Sequence, residues 1–192
     1  MTMEIRDSLW ENSLLEFRER VAAATPTPGG GAVAAVTATL ATALLRMAGT
    51  ICFERAPDAK MEAAIAEVKN CEAKLAQCAD EDVRAFDAYM AARKDRETAA
   101  PKRLQELLLV CARVPLEAAE QVEKLQSLAT EIAAQCPAFL ASDVATARHL
   151  LHASREALLA NVAINCDDLE DCEEKRTLRR RFDRLRNTAN PV

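Results

Sequence analysis

Hydrophobic positions recur with helical spacing along most of the chain. Trp10, Leu14, Phe17 and Val21 follow one another at three- and four-residue steps, and Ser8 with Glu11 reads as a capping box. A first helix is therefore expected to run to about Ala23. Residues 25–51 read TPTPGGGAVAAVTATLATALLRMAGTI. Pro26 and Pro28 fix the backbone and remove donors, so no helix can begin before Pro28. Gly29, Gly30 and Gly31 let backbone N–H groups come close to whatever sits at the following helix N-terminus, a candidate anion- or ligand-facing mouth. From Ala32 to Ile51 small side chains cover nearly every face, and a helix apolar all round is buried by its own chain or by a partner. Its length suits a membrane span, but Thr37, Thr39, Thr42 and Arg46 dilute it and no second apolar span follows. It is expected to be the central helix of a soluble bundle.

Ala56-Pro57-Asp58 closes that segment, with Asp58 placed to cap a third helix over about 58–94. Met61, Ile65, Val68, Leu75, Ala79, Phe86 and Tyr89 form its inner stripe, and Asp82 falls within it, four residues from both Cys78 and Phe86. A carboxylate so placed points into the core or into a cleft cut in it. Asp80, Glu81 and Asp87 fall off the stripe and are expected in solvent. The polar stretch 93–100 reads as a loop, and Pro101 suits the first turn of a fourth helix. That helix carries Leu104, Leu107, Leu108, Cys111, Ala118, Val122, Leu125, Ala129 and Ile132, with Pro115 expected to kink or divide it before Cys136-Pro137 ends it. Ser142 is expected to cap a fifth helix with Asp143 in its first turn, where the helix dipole favours a carboxylate. One face of it then reads Ala147, Leu150/Leu151, Ser154, Leu158, Asn161 and Asn165. Asp143 and Asn161 share that face but stand about 27 Å apart along the axis, too far to touch one small reacting group within one subunit, although an extended ligand or a second subunit could connect them. An acidic connection, Asp167 to Asp171, leads to a last helix with a weak apolar stripe.

Composition agrees with this pattern. The 192 residues hold only four glycines and 4% aromatics, and no alternating β-branched stretch reads as a strand. The expected fold is all-α: a single domain over 1–192, a bundle of about six long helices that dimerises through small-residue and apolar faces, with a basic segment at 175–192. The net charge of −5 argues against nucleic acid as a general partner. It is unevenly spread, because residues 175–192 carry seven basic side chains against Asp183 alone, +6, which leaves −11 elsewhere. Such a segment can hold an anion or the chain's own acidic surface. Seven scattered cysteines without a CxxC pair or a signal peptide fit reduced, mostly buried thiols in a cytoplasmic protein. The cysteines lack metal spacing, and His149 and His152 have no acidic neighbour at the right turn, so no metal site is expected. No membrane partner is expected.

The order of motifs is familiar. Pro-Thr-Pro-Gly-Gly-Gly precedes an Ala-rich helix with Met47 near its end; Asp82–Phe86, Val114-Pro115-Leu116, Ser142-Asp143-Val144 and Asn161–Asn165 follow. Over about residues 9–172 this resembles the cyclodeaminase/cyclohydrolase family: the cyclodeaminase domain of formiminotransferase-cyclodeaminase and free-standing methenyltetrahydrofolate cyclohydrolases. The resemblance implies an all-helical homodimer that acts on folate one-carbon units, with no cofactor beyond the tetrahydrofolate substrate. Cyclodeaminases close 5-formiminotetrahydrofolate to 5,10-methenyltetrahydrofolate with release of ammonia; cyclohydrolases hydrolyse the methenyl compound to 10-formyltetrahydrofolate.

Both reactions pass a cationic, amidine-like carbon through a tetrahedral adduct, so the protein must supply a carboxylate that stabilises positive charge and moves protons. Asp82 is the first candidate for that role and Asp143 the second; each also has a structural reading, as a buried acid satisfied by a neighbouring helix and as an ordinary helix cap. Asn161 and Asn165 can bind the pterin amide edge or bridge helices. Gly29–Gly31 and Ser142 complete the candidate binding set. Three departures from the family's pattern favour an alternative, a catalytically degenerate member that serves as a dimeric binding or interaction protein. No lysine follows the small-residue helix before Lys60, Cys136–Phe139 stands where a Gly-Asn pair is usual, and Lys94-Asp95-Arg96 replaces a Leu-Pro. Arg55 or the basic C-terminal helix is then left to grip the glutamate tail of a folate.

Overall fold

Small side chains decide the architecture. In the computed structural model, which describes residues 8–94 and 101–188, all regular structure among those residues is helical. The helices are α1 (Leu14–Ala22), α2 (Gly30–Arg55), α3 (Ala59–Lys94), α4 (Pro101–Ala133), α5 (Ala141–Asp167) and α6 (Glu173–Asn187), with single 3-10 turns at Leu9–Glu11 and Ala138–Leu140. Helices α2, α3, α4 and α5 form the bundle, each packed against the next and α5 closing back on α2, while α6 lies across α4 and α5. Ala32, Ala35, Ala38, Ala41 and Ala48 of α2 are fully or almost fully buried and let its neighbours approach closely. Larger residues fill the space between: Leu45, Leu75, Leu116, Leu125, Ile132, Leu151 and Leu158 are all essentially inaccessible. Burial of each such side chain contributes about 1.5–3 kcal/mol.

The threonines that dilute α2 do not break its packing. Thr37, Thr39, Thr42 and Thr50 each donate their hydroxyl to the carbonyl four residues earlier in the same helix, so none enters the interior unsatisfied. α2 is long and apolar enough to cross a membrane, yet it is one corner of the bundle, with about half of its most apolar stretch buried. Within one chain Leu40 and Met47 face outward, so its own chain covers only part of a helix expected to be buried by its own chain or by a partner.

Several local expectations are corrected. The first helix is two pieces: Ser8 caps the 3-10 turn, and the capping box belongs to Ser13 and Glu16 at the head of α1. Asp80 is not simply in solvent. Its carboxylate accepts from the Ser8 hydroxyl at 2.7 Å and the Leu9 N–H at 2.8 Å, tying the N-terminal turn to α3. Asp87 is exposed, as expected, and accepts from the Thr27 hydroxyl at 2.7 Å. α4 runs unbroken through Pro115. Ser142 does not cap α5, which begins at Ala141 after Leu140 with no side-chain cap; the Ser142 carbonyl instead accepts from Thr146. Asp58 does cap α3, accepting from the Met61 N–H. The basic helix α6 turns to the chain's own acids: Arg181 makes two bonds to Glu120, which Arg184 joins, and Arg176 and Arg180 pair with Asp171 and Glu173. Its apolar side, Leu178, Phe182 and Leu185, is buried. The expected loop at 93–100 begins inside α3, and residues 95–100 lie outside the described set.

Candidate active site

The proline–glycine turn delivers the chain to the head of α2 with its first backbone donors unpaired, because a helix N-terminus has no preceding carbonyls to accept from them. Gly29 is the N-cap and offers no side chain for the purpose. The acceptor comes from α3: Asp82 Oδ2 accepts from the Ala32 N–H at 2.8 Å. The mouth inferred at Gly29–Gly31 therefore does face an anion, and that anion is the protein's own carboxylate.

Two glycines make room for this arrangement, and not through backbone conformation, since no glycine has a positive φ. A Cβ at Gly31 would lie 2.3 Å from Asp82 Oδ1 and 2.7 Å from its Cγ, so Asp82 occupies the space that a side chain at 31 would take. A Cβ at Gly30 would stand 3.3 Å from Asn161 Nδ2. One glycine admits the carboxylate from α3 and the other admits the amide from α5.

Pro115 shapes the wall that α4 contributes through Cys111. Lacking an N–H, it leaves the carbonyl four residues earlier, that of Cys111, without its helical partner. Asn165 Nδ2 donates to that carbonyl at 2.8 Å, which locks α5 to α4 at the floor of the cavity. Asn161 Nδ2 donates to the Ala157 carbonyl within α5. The resulting cavity, about 150 Å³, is lined by Pro26, Thr27, Gly29–Gly31, Asp82, Phe86, Cys111, Asn161 and Asn165. A larger groove of about 440 Å³ between α4 and α6 holds none of these residues.

Electrostatics single out Asp82. Burial pushes its pKa up from 3.8 to about 6, against the opposing pull of the Ala32 N–H. The α2 dipole also favours the charged form, so desolvation is the dominant cause. Beside it, burial and the Asp82 charge push the Cys111 thiol up to about 11, so that sulfur is a neutral wall and not a nucleophile.

Six of the nine residues singled out from sequence thus meet here: Gly29, Gly30, Gly31, Asp82, Asn161 and Asn165. The other three lie elsewhere. Asp143 stands in the first turn of α5, Ser142 is exposed beside it, and Arg55 ends α2, its guanidinium 5.3 Å above the Phe139 ring. Along α2 that is the far end of a 26-residue helix, about 39 Å from the glycines. Sequence reasoning did not single out Pro26, Thr27, Phe86 or Cys111 as lining residues. For Cys111 the signal was present: a proline four residues later.

Three comparisons fit this geometry. A family model described as formiminotransferase-cyclodeaminase matches residues 13–184. Formimidoyltransferase-cyclodeaminase of Sus scrofa is 34% identical over 95% of this chain, and the Rattus norvegicus protein of the same name is equally similar; the chain spans 36% of the length of either. Methenyltetrahydrofolate cyclohydrolase of Methylorubrum extorquens is 28% identical over 81% of this chain and 79% of its own. The crystal structure of formiminotetrahydrofolate cyclodeaminase from Thermotoga maritima superposes with a TM-score of 0.84 at 28% identity, covering 92% of this chain and 89% of that one. With nine-tenths of its length matched by the family model and its helices arranged as in a solved cyclodeaminase, the chain belongs to the formiminotransferase-cyclodeaminase family.

Proposed function

We propose that this chain is an enzyme of folate one-carbon chemistry, which closes 5-formiminotetrahydrofolate to 5,10-methenyltetrahydrofolate with release of ammonia or hydrolyses the methenyl compound to 10-formyltetrahydrofolate. The observation that carries the reading is Asp82: a carboxylate held at a helix N-terminus and desolvated by burial, with a pKa near 6. Such an acid exchanges a proton at neutral pH at little cost in either direction.

In the cyclising direction, N10 attacks the formimino carbon. Asp82 takes the proton that N10 sheds and returns it to the departing nitrogen, which leaves as ammonia. In the hydrolytic direction, water adds to the methenyl carbon and Asp82 accepts its proton; Asp82 then gives that proton to N5 as the C–N5 bond breaks, and the adduct's hydroxyl releases its own proton to solvent as the formyl C=O forms. The ionised carboxylate stabilises the cationic carbon, on both sides of the adduct in the cyclising direction and before the adduct in the hydrolytic one. The reaction needs proton transfer and charge stabilisation alone, so no metal and no second organic cofactor has a role in it. Asn161 and Asn165 line the cavity with Phe86, and in this reading their amides bind the amide edge of the pterin.

Two copies of the chain are proposed to associate through the outward apolar positions Leu40 and Met47 of α2 and Ile164 of α5, which are 52%, 39% and 68% exposed. Sedimentation at micromolar concentration tests this, and a stable monomer refutes it. Arg55, Ser142 and Asp143 reach a folate in this reading along an extended ligand or across such a contact. With α6 spent on Glu120, neither nucleic acid nor a membrane is proposed as a partner, and a cytoplasmic location suits the reduced thiols.

The experiment is an absorbance assay of the purified protein with 5,10-methenyltetrahydrofolate, followed through loss of the methenyl chromophore, and a second assay with the 5-formimino compound through its appearance. Acceleration that Asp82→Asn abolishes establishes the enzyme and ranks the two directions. No acceleration over buffer with either compound, from folded protein, refutes it in favour of a catalytically silent scaffold.

A further inference from the structure

Two cysteines that the proposed chemistry leaves unused face one another at the end of the bundle remote from Asp82. Cys52 is buried near the C-terminus of α2, and Cys136 is half-buried in the turn between α4 and the Ala138–Leu140 3-10 turn. Their Sγ atoms are 2.9 Å apart although 84 residues separate them along the chain. That is closer than two carbon atoms rest in van der Waals contact, about 3.5–4.0 Å. A disulfide needs about 2.05 Å, so closure asks for a movement of less than about 1 Å. The partner atom Cys136 sits in a short connection between helices, where such a movement costs least. The other five thiols lack this arrangement. Cys71, Cys78, Cys111 and Cys166 are buried, and the Cys172 sulfur accepts from the Lys175 N–H at the head of α6.

We propose that Cys52 and Cys136 form a thiol modification site, at which a low-molecular-weight disulfide such as oxidised glutathione converts the pair into an intramolecular disulfide. Cys136, the more accessible of the two, gives up its proton to solvent and attacks one sulfur of oxidised glutathione, expelling one glutathione thiolate. Cys52 then loses its proton and attacks Cys136 Sγ of the mixed disulfide, expelling the second. Two protein thiols are oxidised, one glutathione disulfide is reduced to two thiols, and no other reactant is needed. The bond ties the end of α2 to the α4–α5 connection, next to Arg55 and Phe139. Burial and the neighbouring thiol hold the Cys136 pKa above the usual thiol range, so the thiolate is scarce at neutral pH and the conversion is slow there. The same scarcity means that the rate climbs about tenfold per pH unit between pH 7 and 9. Closing a loop this long restricts the unfolded chain and raises the thermal midpoint.

The test incubates the intact protein with excess oxidised glutathione at pH 8.5, alkylates the remaining thiols, and maps the linked peptides by mass spectrometry. The expected result is one linked peptide pair joining Cys52 to Cys136, five alkylated cysteines, and a thermal midpoint raised by about 5 °C or more. Cys52→Ser and Cys136→Ser, each checked for native helicity by circular dichroism, form no such link and show no shift. Free alkylation of both cysteines after prolonged oxidation, or a bond from either to a different cysteine, overturns the proposal. A mapped bond without the thermal shift overturns its role as a staple.

Discussion

The two ends of α2 carry similar expectations and very different structures. At its N-terminus, Gly30, Gly31, Asp82, Asn161 and Asn165 come from three helices and close on one cavity. At its C-terminus, Arg55 lies over Phe139, Ser142 is exposed and Asp143 stands in the first turn of α5. The difference teaches what makes a polar residue part of a site in a helical bundle. Asp82 is desolvated and takes a hydrogen bond from another element, so its proton affinity is altered. Ser142 and Arg55 remain exposed. Motif order marks both ends alike; only desolvation separates them.

The largest effect expected is on Asp82→Asn. Loss of proton transfer lowers kcat about 10²- to 10⁴-fold, measured in the methenyl absorbance assay. Stability moves the other way. A raised folded-state pKa means that folding favours the protonated acid; that contribution is fully present below about 3.8 and lost as pH rises through about 6. At pH 7.5 the wild type therefore bears the cost of a buried charge. The variant, which keeps an acceptor for the Ala32 N–H, is expected to be more stable by about 1–3 kcal/mol. Denaturant melts at pH 4 and pH 7.5 check this, with the advantage shrinking at the lower pH. Wild-type hydrolysis, in turn, falls about tenfold per unit below pH 6 as Asp82 takes up its proton. Destabilisation of Asp82→Asn at pH 7.5 would mean that the charge is solvated and that the contrast between the ends is false.

Gly31→Ala comes next. Its Cβ would fall 2.3 Å from Asp82 Oδ1, so the carboxylate must swing away and give up the Ala32 N–H. A loss of about tenfold or more in kcat is expected, together with about 1–3 kcal/mol of stability. Gly30→Ala faces only a 3.3 Å approach to the Asn161 amide and is expected to cost less in both. Equal losses for the two would remove the specific fit of Asp82 over Gly31.

How much of this the sequence disclosed follows from the range of each interaction. Helical periodicity is local, so the stripe of α3 put Asp82 inward, and the small residues of α2 announced close packing. Capping failed where two serines compete: Ser8 and Ser13 both precede an acid by three residues, and only the register of the following apolar residues decides between them. Contacts across helices were not legible. Nothing in the local pattern says that Asp80 reaches back to Ser8, or that Gly31 lacks a side chain because Asp82 fills its place. The Pro115–Cys111–Asn165 arrangement is intermediate. The orphaned carbonyl can be read from the proline, but which side chain satisfies it depends on how α5 lies on α4.

Asn165→Ala turns on that last arrangement. It leaves the Cys111 carbonyl unpaired at the cavity floor, with an expected cost of about 1–3 kcal/mol. The catalytic effect is expected chiefly in KM, up to about tenfold, because the amide positions substrate and moves no proton. A pure loss of stability with unchanged kinetics would make Asn165 a bridge between helices and nothing more.

The smallest effects are expected at the far end, and they bear most directly on the contrast. Asp143→Asn and Arg55→Ala, assayed with the methenyl compound, should each leave kcat within about threefold of wild type, since neither side chain reaches the Asp82 cavity within one chain. Arg55→Ala also removes an exposed cation over Phe139, worth about 0.5–1 kcal/mol, so a thermal melt separates a kinetic change from a structural one. A loss above tenfold, recovered when each variant is mixed with Asp82→Asn protein, would show the reverse of the single-chain picture. One copy would then supply Asp82 and its partner Asp143 or Arg55, and the two ends that α2 holds apart would meet across the subunit contact.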